Sequence, residues 1–127
     1  MTFAFWCVLV AGLLPFLAIA LAKADKSYLR HNGSPRDWEA NLQGRQRRLH
    51  AAHLNTFEAF PLFAAGVIIA HLLHAPRGPV DVAAGIFVLA RLAYLWAYAN
   101  DHASLRSTIW MVGLGASIAP FVLAGAA

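Results

Sequence analysis

Arg47-Arg48-Leu49-His50-Ala51-Ala52-His53-Leu54-Asn55-Thr56-Phe57-Glu58-Ala59-Phe60-Pro61 runs from a basic surface straight into an apolar segment and carries an amide and an acid in with it. Asn55 and Glu58 stand three residues apart, which puts them on one face of a helix. A carboxylate inside an apolar span is costly, so Glu58 is a functional candidate by default.

The surroundings of this stretch decide the class. With 60% hydrophobic and 13% charged residues in 127, the chain is too apolar for an ordinary soluble domain. It reads as an all-α integral membrane protein, a single domain over 1–127 folded as a four-helix bundle. The spans cover about 3–22, 54–74, 80–99 and 105–124, the second being the apolar part of a longer helix from about Arg45 to His74. Each approaches the roughly 20 residues a helix needs to cross a hydrocarbon core. The third reads as interrupted by Arg91 alone. The first has no basic residue ahead of it and an apolar run longer than a signal peptide's core, so it is kept as a membrane helix.

Helix ends are marked as well. Asn32-Gly33-Ser34-Pro35 forms a turn, and Pro76, Gly78 and Pro79 make the second loop tight, with Pro79 suited to a first helical turn. Asn100 and Asp101 stop the third span, and Ser104 is the expected N-cap of the fourth. Pro15, Pro61 and Pro120 lie within spans, where membrane helices tolerate them.

Lys23, Lys26, Arg30, Arg36, Arg45, Arg47 and Arg48 all fall between the first two spans, whereas the second loop carries Arg77 alone. By the positive-inside rule, the loop over 23–44 and the third loop face the cytoplasm, and both termini lie on the far side. The net charge of +4 sits largely in that first loop, where it serves topology and contact with anionic lipid. Nucleic-acid binding would need a soluble basic face, and none is evident. The apolar character suits a bacterial inner membrane.

Several polar residues have ordinary explanations. Cys7 is alone and reads as a small apolar filler. His50 with His53 and His71 with His74 have i, i+3 spacing, but the pairs are about 30 Å apart along one helix and each lacks a third ligand, so no metal site is assigned. Trp6, Trp38, Trp96 and Trp110 read as belt or lipid-facing residues. Gly113, Gly115, Ala116 and Ser117 suit close helix contact.

The other intramembrane polar groups do not reduce to packing. Arg91, Tyr94 and Tyr98 share a face of the third span, and Arg106 and Ser107 open the fourth; with alternating helix directions all converge on the cytoplasmic half with Asn55 and Glu58. A buried Arg must be paired, and Glu58 is taken as its partner. That pair alone would be a packing device, yet Arg106, Asn55, Ser107 and the two tyrosines offer more donors than one carboxylate uses. Such a cleft suits a small polyanion carrying an amine, and glutathione fits: two carboxylates for Arg, an ammonium for Glu58, and a thiol. A free thiol titrates near 8.5, and a fixed guanidinium lowers that value by stabilising the reactive thiolate. Arg106 at the membrane boundary meets this need, beside a surface where an apolar electrophile arrives from lipid.

The string His53-Leu54-Asn55-Thr56-Phe57-Glu58-Ala59-Phe60-Pro61-Leu62-Phe63 resembles the signature of the MAPEG superfamily, membrane-associated proteins of eicosanoid and glutathione metabolism: an Asn, two residues, a Glu, two residues and a Pro on the second helix. Ala90-Arg91-Leu92-Ala93-Tyr94-Leu95-Trp96-Ala97-Tyr98 and Leu105-Arg106-Ser107-Thr108-Ile109-Trp110 are similar to the family's other two marks. The resemblance covers nearly the whole chain. It implies a homotrimer with a glutathione site between subunits, open toward the cytoplasm. By carry-over, Asn55 and Glu58 of one subunit meet Arg91, Tyr98, Arg106 and Ser107 of the next. Tyr94 and Arg48 would join the glutathione-binding set, while Arg106 stabilises the thiolate and Ser107 assists. Transfer to lipophilic small molecules or reduction of peroxides would be the reaction. Where glutathione-using members often carry basic residues before the Asn, this chain has Ala51 and Leu54, with Arg48 one turn earlier; where some carry a Tyr, it has Trp110.

Two other classes compete with this reading. A small multidrug transporter of similar length would carry its carboxylate in the first span, which here has no charge from Phe3 to Ala22. A non-catalytic member of the same fold, binding a lipid or a partner, would need Glu58 and Arg91 but not Arg106.

Overall fold

The computed structural model describes residues 1–24, 28 and 33–127; Lys26, Arg30 and Asn32 of the sequence reading lie outside them. Five helices are labelled here in chain order: α1 (Phe3–Lys23), the short α2 (Pro35–Ala40), α3 (Gly44–Leu72), α4 (Arg77–Ala99) and α5 (Ala103–Gly125). The four long ones are each long and apolar enough to cross a membrane. No strand occurs among the described residues.

The long helices alternate in direction and pack as α1 on α3 and α4, and α5 on α3 and α4, with α3 meeting α4 between them. Small residues permit this closeness. A Cβ at Gly66 of α3 would lie 2.8 Å from the Phe121 ring of α5, so only glycine lets those two helices approach as they do. The outer surfaces carry large apolar side chains such as Leu13, Phe16, Leu89, Met111 and Val122, the pattern expected where the solvent is lipid.

Two apolar clusters fill the interior. At the Thr2 end, Ala4, Cys7, Ala11, Phe63, Val67, Ala84 and Phe87 pack together, with Phe63 and Phe87 stacked at 3.9 Å. Toward the other end, Ala18, Ala22, Leu49, Ala52 and Leu95 gather around Trp38 and Leu42. Trp38 is thus a core residue, 5% exposed, which corrects its reading as a belt residue: α2 sets it in this cluster, against Tyr28.

One expected stop is found and one expected cap is not. Asn100 is the C-cap of α4 and Asp101 takes a left-handed φ of 61°, as turn residues at a helix end do. Ser104 is not the cap of α5, because the helix already begins at Ala103 with His102 preceding it and no side-chain cap.

Candidate functional site

Between the two apolar clusters lies a polar layer centred on Arg91. Its side chain is 2% exposed, held between α3, α4 and α5. Nη1 donates to Asn55 Oδ1 at 3.0 Å. The guanidinium also lies 4.5 Å from the Tyr94 ring centroid and 5.7 Å from that of Phe87, and Nε has no hydrogen-bond partner among the described residues. Arginine can only donate, so it fixes the Asn55 amide with its oxygen inward and leaves the NH2 to donate elsewhere.

The expected ion pair between Arg91 and Glu58 is absent. Glu58 is exposed on the flank of the bundle and its carboxylate has neither a hydrogen bond nor an ion pair within the described residues. Asn55 and Glu58 both lie on α3, but Asn55 turns inward to Arg91 while Glu58, three residues on, remains at the rim. There it lines a cavity of about 190 Å³ between α3 and α5, with Asn55, Ala59, Leu62, Trp110, Leu114 and Ser117. The opening holds a carboxylate, an amide and the buried Ser117 hydroxyl on otherwise apolar walls. Ser117 Oγ donates to Gly113 O at 3.0 Å and keeps acceptor capacity.

From Arg91 a run of ring contacts leads to the end of the bundle. Tyr94 and Tyr98 meet edge-on at 5.2 Å, and the Arg106 guanidinium lies 4.4 Å from the Tyr98 centroid. Tyr94, Tyr98 and Arg106 are therefore brought together with Arg91 and Asn55 inside one chain. Ser107 is exposed, its hydroxyl donating to Ala103 O at 3.3 Å. Arg48 is engaged in the fold: Nε donates to Tyr98 O at 3.1 Å and Nη2 to Ala99 O at 3.4 Å, and Nη1 lies 4.0 Å from Asp101. A cation on the last carbonyls of α4 complements the negative end of the helix.

His50, His53 and His71 are likewise engaged. His53 Nδ1 donates to Pro15 O at 2.7 Å, His50 lies 3.8 Å from Glu39, and His71 Nδ1 donates to Val67 O at 2.9 Å while Nε2 accepts from Thr2 Oγ1 at 2.9 Å. Among the described residues no three metal-binding side chains cluster.

Sequence reasoning passed over Asp81. It lies near the start of α4, so Arg91 is not the third span's only charge. Its Oδ1 accepts from Ala4 N at 2.8 Å, an anion placed on the N-terminus of α1. An acid directly after Pro79-Val80 was the available signal. Ser117 was missed as a cavity residue because a lone hydroxyl in an apolar span is usually a packing feature, and Leu114 because a leucine in such a span carries no polar signal.

No curated protein resembles the chain closely enough to count as a relative. The description of the MAPEG family, by contrast, matches residues 3–126. With four helices fit to cross a membrane and nearly the whole length matched, the chain belongs to the MAPEG family, integral membrane proteins of the glutathione and eicosanoid metabolism superfamily.

Proposed function

We propose that this protein is a membrane-bound glutathione transferase-like enzyme that binds glutathione between the subunits of a homotrimer and activates its thiol toward lipophilic electrophiles or peroxides. The observation that carries the reading is Glu58, an unpartnered carboxylate at the rim of a cavity in an apolar surface. Bare contact with lipid is costly for such a group, so an adjacent copy and a cationic ligand group must cover it. Glutathione's ammonium fits Glu58, and the free Asn55 NH2 donates to the neighbouring carboxylate. Tyr98 and Arg106 of the partner subunit close the site; Tyr94 and Ser107 support it, and Arg48 contributes through its hold on Tyr98.

Arg106 provides the fixed charge. The thiol proton leaves to water, the thiolate faces the guanidinium, and its sulfur forms a carbon–sulfur bond as the electrophile's leaving group departs with its electron pair. With the basic first loop cytoplasmic, the site would open toward the cytoplasm of a bacterial inner membrane, with both termini on the far side.

Calorimetric titration of the detergent-solubilised protein with glutathione and with N-acetylglutathione tests the assignment to Glu58. Saturable binding of glutathione, lost on acetylation of the amine, is the expected result. Equal binding of both would remove Glu58 as the ammonium acceptor, and binding of neither would favour the second reading, a lipid- or partner-binding member without catalysis. Ala51 and Leu54 favour that alternative, since they stand where glutathione-using relatives carry basic groups.

A further inference from the structure

We infer that Gly113 of α5 is a positioning residue, one whose missing side chain seats Arg91 so that Asn55 presents its NH2 to the ligand. The inference rests on the glutathione reading above for its functional consequence, and on geometry alone for its structural one.

A Cβ built at Gly113 would lie 3.1 Å from Arg91 Nη2 and 3.6 Å from Arg91 Nε. Few real contacts are so short, so the guanidinium would have to shift by a few tenths of an ångström. It has little room to do so. Arg91 is 2% exposed, with the Tyr94 ring 4.5 Å and the Phe87 ring 5.7 Å from its guanidinium carbon. Nη1 is already committed to Asn55 Oδ1 at 3.0 Å, and a displacement away from α5 alters that bond first. Asn55 is then free to turn its amide, and the donor beside Glu58 is no longer fixed.

Gly115, two residues along the same helix, is the internal control, because nothing lies within 4 Å of a Cβ built there. Both glycines weaken an α-helix relative to alanine. A helix selecting only for its own stability would carry alanine at either position. The specific demand at 113 is the guanidinium.

Three measurements on the intact protein in detergent decide the matter. In spectra with ¹⁵N-labelled asparagine side chains, assigned with Asn55→Asp, the Asn55 amide signals should move in Gly113→Ala and stay in place in Gly115→Ala. This readout needs no ligand, so it stands even if glutathione does not bind. Glutathione affinity should fall roughly tenfold to a hundredfold in Gly113→Ala, the scale of a small misplacement in a binding site, with no loss in Gly115→Ala. Finally, in an Arg91→Lys background, where the guanidinium is gone, Gly113→Ala should cost no further affinity, a non-additivity that a general packing effect would not produce. Unmoved Asn55 signals in a folded Gly113→Ala protein would overturn the inference, as would additive losses in the double variant. Failure of the wild type to bind glutathione would overturn the proposed function and leave the amide signals to decide the positioning role.

Discussion

Two levels of the bundle, the Thr2 end and the layer around Asn55 and Arg91, both bring polar groups into an apolar interior, and they treat them oppositely. At the Thr2 end Asp81 pairs with the Ala4 amide, Thr2 with His71, and His71 with the Val67 carbonyl, all within the chain. At the Asn55 level the network is left incomplete: Arg91 Nε has no acceptor, Asn55 has a donor to spare, and Glu58 has no partner among the described residues. Hydrogen-bonded polar groups hold helices together, whereas unsatisfied ones in a low-dielectric setting are costly and persist where something outside the subunit completes them. On the proposed function, the contrast separates structural polarity from polarity directed at a ligand or a neighbouring copy.

The sharpest way to break this contrast is to exchange the consequences. Glu58→Gln should lower glutathione affinity by about a hundredfold, as expected for loss of a charged partner in a desolvated site, while the thermal midpoint stays the same or rises. A fall in midpoint with affinity retained would make Glu58 structural and erase the distinction. Asp81→Ala should do the reverse, lowering stability by about 1–2 kcal/mol through loss of the anion at the α1 N-terminus, with glutathione affinity unchanged. Thr2→Val, which removes a neutral bond, belongs on the same side with about 1 kcal/mol or less. Differential scanning calorimetry and ligand titration on the same samples read both axes.

The fold was legible in the sequence because lipid imposes strong rules. Apolar runs of spanning length, with Pro and Gly between them, set the helices to within a few residues: the third span, expected from Val80, begins at Arg77, and the fourth, expected from Leu105, begins at Ala103. Trp38 was misread because its burial depends on how α2 folds back, which local pattern does not carry. Within the site, helical spacing put Arg91, Tyr94 and Tyr98 on one face, and the ring contacts follow that face. The partner of Arg91 was not legible. Asn55 and Glu58 are both within reach by periodicity, and only side-chain packing distinguishes the inward amide from the carboxylate at the rim. Gly113 was read as a close-packing residue, and which atom occupies its space is a tertiary fact.

The most direct test of the central claim, that the unsatisfied polar layer holds glutathione with its thiol activated by Arg106, is the ultraviolet difference spectrum of the purified, folded protein during titration with glutathione near neutral pH. A saturable thiolate absorption that disappears in Arg106→Ala, with the oligomer intact, is the predicted result. No thiolate signal from folded, oligomeric wild-type protein, or a signal of equal size in Arg106→Ala, would contradict it.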